Sequence, residues 1–428
     1  MKENNLTHDP SEYVRGLQQL LISDKKKIAF LFGAGTSLAK KNSKSQIVPA
    51  IGEMTIKVVT ELNKTKKYEE AIAEISNELK ENNQTFNIET LLSNLEQKRE
   101  IIGDGVLNKL KKTDIDDLIG EIKIQIRNIV SIHKHILEEN NIDNLIHADF
   151  TEWIERADRK YAIELFTTNY DYLFELGLES KNTPYYDGFT GSYQPFFNPE
   201  SVEDLSFLPN QTKLWKIHGS LGWHLDMKSN NVWRKDSDND DILIYPSLTK
   251  YNNSKKQPYV ALMDRLTNFL KQPDTVLITC GYSFGDEHIN ERILTALKSN
   301  NSAHVYALYY DVVWNDGKKI GYELSSESNL TKLAMKNRKI SIYGSRGAII
   351  GCQLGDWQLK REPDKDDSIT VSSYFAEDAF DGEVELKTEK KGDELWTGKG
   401  ELLLPDFSRF VAFLKSMIFQ NELMPEIK

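Results

Sequence analysis

The sequence predicts an α/β fold, in which a mainly parallel sheet carries an inserted helical module and is followed by a C-terminal α+β accessory region. Three observations predict it. Short apolar and β-branched runs recur as strand candidates at 28–32 (IAFLF), Ala162–Phe166, Lys213–Ile217, Val276–Thr279 and Val305–Tyr309. Helical patterns separate the later runs, notably Tyr259–Leu270 and Ile289–Leu297. Strands that alternate with helices build a parallel sheet covered on both faces, here a Rossmann-like one. Third, the stretch from Gly52 to Asn140 lacks convincing strands. Within it Ile88, Leu91, Leu92 and Leu95 follow the i, i+3, i+4, i+7 spacing of an amphipathic helix.

These readings divide the chain at residue 310. Residues 1–310 form the main α/β domain, with a helical insertion at about 52–160. Residues 311–428 form the accessory or assembly region. Residues 184–205, rich in Pro, Gly, Tyr and Phe, read as an ordered loop, and 339–359 as strand-like runs broken by glycines. Residues 361–394 carry 12 acidic against 5 basic side chains, the pattern of solvated loops or hairpins. Leu404–Phe419 restores an amphipathic helix with Pro405 near its start.

Composition sets outer limits. The 428 residues carry 54 Lys and Arg against 65 Asp and Glu, a net charge of −11. That balance argues against direct nucleic-acid or anionic-membrane binding as the main activity. No run of 18 apolar residues is present, so no membrane span is expected. The polar start, MKENNLTHDP, has no apolar h-region, so no secretory signal is expected and a cytoplasmic location is. Two cysteines, Cys280 and Cys352, cannot build a disulfide framework or a four-Cys zinc site, and no metal is expected.

Four segments after strand candidates could carry chemistry. Gly33-Ala34-Gly35-Thr36-Ser37 is either a tight strand-to-helix turn or a loop whose glycines let backbone N–H groups approach a phosphate. Thr168-Asn169-Tyr170-Asp171 offers an amide able to hold a ribose hydroxyl or a water, or a turn in which Asn and Asp bond their own backbone. His218, followed by Gly219, supplies an imidazole suited to general acid–base work or a histidine satisfied structurally at a bend. Gly281-Tyr282-Ser283-Phe284-Gly285-Asp286-Glu287-His288 would wrap an adenosine ribose, or Asp286 would simply cap the next helix. Independent turns seldom place all four on one sheet edge.

Together these segments resemble the sirtuin-like family. GAGTS at 33–37, TTNYD at 167–171, HGS at 218–220 and GYSFGDEHIN at 281–290 stand in the family's order, across about residues 20–310. The departures are specific. The four-Cys module of protein-deacylating sirtuins cannot be built, and their G-I-P-D-F-R segment is replaced by Val48-Pro49-Ala50-Ile51-Gly52-Glu53. With the long insertion, these features are more similar to prokaryotic sirtuin-like antiphage proteins.

That resemblance implies hydrolysis of NAD+ as substrate, with depletion of the cofactor during infection (abortive infection). Asn169 and His218 are the implied catalytic pair. Gly33, Ala34, Gly35, Thr36 and Ser37 would hold the pyrophosphate, and Thr168 and Asp171 would support the site. Gly281, Tyr282, Ser283, Asp286 and His288 would engage the adenosine side. Such proteins act as homo-oligomers or with a hexameric HerA-type ATPase, and this chain has no G-x-x-x-x-G-K-[ST] of its own. The competing expectations are an NAD-dependent protein deacylase and an NAD- or ADP-ribose-sensing binding subunit.

Overall fold

The structure, a computed structural model, describes residues 6–157, 159–226, 229, 231–235, 242–244, 257–315, 318–324, 328–364, 370–378 and 396–419. Its frame is a ten-stranded sheet. In chain order the strands are β1 (Thr7–His8), β2 (Lys27–Phe32), β3 (Glu164–Thr167), β4 (Tyr185–Tyr186), β5 (Thr212–Lys216), β6 (Thr275–Cys280), β7 (His304–Leu308), β8 (Ile340–Tyr343), β9 (Gly347–Ile350) and β10 (Gln353–Trp357). Across the sheet they lie in the order β1-β10-β9-β8-β7-β6-β2-β3-β5-β4. Every pairing is parallel except β8 with β9 and β9 with β10.

The principal helices are α1 (Pro10–Ile22), α2 (Ala34–Ser37), α3 (Ile51–Leu62), α4 (Lys66–Glu81), α5 (Ile88–Ile101), α6 (Lys112–Val130), α7 (His133–Glu138), α8 (Ile146–Arg156), α9 (Leu173–Ser180), α10 (Tyr259–Lys271), α11 (Glu287–Ser299) and α12 (Phe407–Phe419). Side chains alternate across a strand, so an apolar run without polar interruption buries both faces. In β2, Ile28, Phe30 and Phe32 join one core with α1, α8, α9 and α12. Ala29 and Leu31 join the opposite core with α10 and α11.

A buried ionic group ties the second face to the sheet. The guanidinium of Arg265 (α10) donates from Nε and Nη2 to the two carboxylate oxygens of Glu164 (β3) at 2.9 and 2.6 Å. Trp215 Nε1 donates to the same carboxylate at 2.7 Å. The remaining guanidinium nitrogen donates to the carbonyls of Val202 and Asp204.

Helices α3 to α8 fill the connection from β2 to β3. Amphipathic spacing lets α3 to α6 build a core of their own around Val58, Ile75, Leu92, Leu118 and Ile122. Asn87 starts α5 with a capping box, its side chain accepting from Glu89 N and Thr90 N while Thr90 Oγ1 accepts from Asn87 N. The helical core meets the sheet domain through Leu221, Tyr170 and Tyr172.

The division expected at residue 310 does not coincide with a break in the sheet. β7 pairs in register with β8, from Val305 opposite Ile340 to Leu308 opposite Tyr343. The helix read at Leu404–Phe419 is α12, and its Phe410, Phe413 and Leu414 are fully buried beside Phe30 and Phe150. Strand pairing joins residues far apart in the chain, which local pattern does not encode. Within the acidic tract, 365–369 and 379–394 lie outside the described residues. Leu414→Ala is expected to destabilise the whole protein by about 3 kcal/mol in urea melts; an unchanged midpoint would make α12 a peripheral element.

His147 (α8) packs edge-on against Phe174 at 4.6 Å and beside Phe407 at 5.3 Å between ring centroids. Both of its ring nitrogens are buried without a hydrogen-bond partner among the described residues. Burial pushes its pKa down from 6.5 to about 3. The unfolded chain therefore takes up a proton that the folded one refuses. His147's contribution is complete above about pH 6.5 and declines by up to about 1.36 kcal/mol per pH unit as pH falls toward 3. His147→Leu is expected to flatten that acid limb in pH-dependent denaturant titrations.

Candidate functional site

β6, β2 and β3 are parallel neighbours, and β5 lies beyond β3. Their carboxyl ends therefore deliver Gly281, Gly33, Thr168 and His218 to one sheet edge. From β2 the chain continues toward β3 and β5, then crosses to β6 on the other side of β2. An open α/β sheet binds its ligands at such a switch of direction. A cleft of about 550 Å³ opens there, lined by Gly33, Ala34, Gly35, Ser37, Thr168, Asn169, Asp171, His218, Gly281, Tyr282, Ser283 and Asp286.

The glycines serve contact between loops. A Cβ on Gly33 would stand 2.5 Å from Gly281 O, and one on Gly35 2.6 Å from Gly281 Cα. Gly281 itself has φ +63° and would place a Cβ 2.6 Å from Thr36 N. The Gly35 N–H donates to Gly281 O at 3.0 Å, Gly33 N–H to Cys280 O at 3.3 Å, and Thr36 N–H to Gly33 O at 3.0 Å. These three donors bond within the protein. Gly281→Ala combines backbone strain with a steric clash and is expected to cost about 1 to 3 kcal/mol.

Asn169 is 7% exposed. Its Nδ2 donates to Gly33 O at 3.1 Å, Thr36 Oγ1 at 3.0 Å and Ser37 Oγ at 2.7 Å. The amide nitrogen is taken up by the loop, so Oδ1 is the group Asn169 can offer a water or a ribose hydroxyl. Ser37 Oγ donates in turn to Asp171 Oδ2 at 2.6 Å, while Asp171 Oδ1 accepts from Leu173 N at 3.0 Å. Asp171 therefore orients Asn169 through Ser37 and also starts α9. Thr36 is fully buried beneath the loop, its Oγ1 donating to Gly33 O, and is absent from the cleft lining.

Lys216, a residue not singled out from the sequence, fixes this turn from below. Its buried Nζ donates to the carbonyls of Tyr170 and Asp171 and to Glu175 Oε1 at 2.7 Å. Burial holds the Glu175 pKa above the ordinary carboxylate value, against the pull of Lys216.

His218 Nε2 lies 3.0 Å from Asp286 Oδ2. The other carboxylate oxygen of Asp286 accepts from His288 N at 3.0 Å and Ile289 N at 3.3 Å, capping α11. Asp286 thus joins an imidazole to a helix start, and both of its oxygens have protein partners. His288 contributes that N–H from the first turn of α11 but does not line the cleft, because Ile289 and Asn290 take the inward positions. Tyr282 lines the cleft while its hydroxyl donates to Asn290 Oδ1 at 3.2 Å.

The opposite wall comes from the helical module. Val48, Pro49, Ala50, Ile51 and Met54, at the start of α3, line the cleft together with Ile126 and Val130 of α6, which share an apolar core with Val48 and Met54, and Asn87 to Glu89 enter from the start of α5. The replacement segment Val48 to Glu53 was legible in the sequence as a departure; its place in the wall was not. Tyr170 feels the carboxylates of Glu89 and Asp286. Burial first, then these two carboxylates, keep its pKa well above the ordinary phenol value, so the hydroxyl stays neutral.

Residues 163–331 match the family model for a SIR2-like domain, a family of NAD-dependent enzymes. The matched stretch contains Asn169, His218, Gly281 and Asp286. The Gly33–Ser37 loop lies outside it, yet β2 sets that loop between the matched strands β3 and β6. No curated protein matches the chain. Among the described residues no helix is long and apolar enough to cross a membrane.

Proposed function

We propose that this protein is an NAD+ glycohydrolase that cleaves the nicotinamide–ribose bond with water. The observation that carries the reading is the convergence, in one cleft on a SIR2-like domain, of an oriented amide and an imidazole paired with a carboxylate. The C1–N bond breaks and its electron pair goes to nicotinamide, which leaves neutral. Water attacks the oxocarbenium-like sugar and loses one proton, giving ADP-ribose.

Such a reaction needs orientation and charge stabilisation more than a strong nucleophile. Asn169 Oδ1 would align the water or a ribose hydroxyl. His218 would accept the released proton, with Asp286 holding the ring and stabilising the imidazolium. The apolar wall of Val48, Ile51, Met54, Ile126 and Val130 would limit entry of bulk water.

The biological reading that goes with this chemistry is antiphage defence by NAD+ depletion in the cytoplasm, restrained and released by assembly. The assembly would be a homo-oligomer or a complex with a HerA-type ATPase. The test is chromatography of NAD+ incubated with the pure protein, alone and with the ATPase. Nicotinamide and ADP-ribose in equal amounts are expected. NAD+ left intact under both conditions would end the proposal, and acyl-ADP-ribose formed only with acyl-lysine peptide would replace it with deacylation.

A further inference from the structure

A second cavity, of about 630 Å³, shares no lining residue with the cleft. It lies where the segment after the Gly33–Ser37 loop meets α8 and α12, and it gathers Lys40, Lys41, Arg409 and Lys415 around Asp149. In a chain of net charge −11, that local excess of positive charge is unusual. Asp149 Oδ1 is met by both Lys41 Nζ at 2.9 Å and Lys415 Nζ at 3.3 Å, and Lys415 also reaches Glu152 at 3.2 Å. The side chains of Lys40 and Arg409 have no hydrogen bond or ion pair among the described residues.

Like charges held around one cavity repel, and a bound anion relieves that repulsion. The volume falls within the range of about 300 to 1,000 Å³ typical of small-molecule sites. A guanidinium fork beside ammonium groups suits phosphate oxygens. We propose that this cavity binds a phosphate-bearing small molecule, as a site separate from the cleft.

The chain ties the two sites together. Residues 38–47 form a strap: Ser37 and Val48, at its ends, both line the cleft, and Val48 N–H donates to Ser37 O at 3.0 Å. Lys40 and Lys41 of the strap line the second cavity. Lys41 Nζ to Asp143 O at 2.8 Å, Asn42 Nδ2 to Asn144 Oδ1 at 2.6 Å and Ser45 Oγ to Asn144 O at 2.8 Å fasten it. An anion drawing in Lys40 and Lys41 therefore acts on both ends of a segment that borders the cleft.

The experiment titrates the full chain, by thermal melting and calorimetry, with inorganic phosphate and separately with AMP, against chloride at matched ionic strength. The comparison is Lys40→Glu combined with Arg409→Glu; the two side chains are exposed, so the fold should be retained. Saturable stabilisation is expected in the parent chain. In the double variant, binding should weaken about a hundredfold, at roughly tenfold for each charge-assisted contact removed. Half-saturation at lower AMP than phosphate would show that the nucleoside is also read; equal values would show that the phosphate group carries recognition. Unchanged affinity in the double variant would place the ligand elsewhere and overturn the proposal, as would a shift reproduced by chloride or no binding of either probe. Because binding is read without turnover, failure of the hydrolase proposal leaves this test intact.

Discussion

Replacing His218 by alanine is expected, on the proposed hydrolase mechanism, to lower NAD+ cleavage by about 10²- to 10⁴-fold, the range removed with a general base. His218 is outside the hydrophobic cores and its Nε2 meets Asp286, so the melting midpoint should move little. A variant that unfolds would have lost a structural residue; one that keeps full turnover would exclude His218 from the reaction. Asp286→Asn separates the two tasks of its partner. Asparagine caps a helix about as well as aspartate, so α11 should keep its start, while the imidazolium loses its counter-charge. Turnover should fall, by less than in His218→Ala, without a matching loss of stability.

Arg265→Leu is expected to destabilise the fold by about 3 to 5 kcal/mol, the penalty for stranding a buried charge. It removes both hydrogen bonds that the guanidinium makes to Glu164 and the donors to Val202 O and Asp204 O. Urea titration reads the change directly. Adding Glu164→Gln should recover part of the loss, since a neutral amide can still accept from Trp215 Nε1 and no carboxylate remains buried. No recovery would assign the damage to packing around α10 rather than to the lone charge.

Much of the frame was legible because its signals are local. IAFLF announces β2 since both faces of that strand are covered, and the spacing of Ile88, Leu91, Leu92 and Leu95 announces α5. Asp286 was legible as a cap. Features that depend on distant partners were not. Nothing near Ile340–Tyr343 states that it pairs with β7, and nothing near Arg265 points to Glu164, 101 residues away. The same reason explains the site. The residue types were visible at strand ends, but whether a side chain faces a ligand or its neighbour is decided by the fold. The N–H groups of Gly33, Gly35 and Thr36 bond neighbouring backbone, Tyr282 turns its hydroxyl to Asn290, and Val48 to Ile51 become a wall.

Asp286 joins the beginning of a helix to the imidazole, so a local event there has a remote chemical effect. Fraying of the first turn after Asp286 releases the carboxylate and leaves the ring without its counter-charge, although the sheet is untouched. Heating should then silence the proposed activity several degrees before the chain melts, and reversibly, because only one turn of backbone has to re-form for it to return.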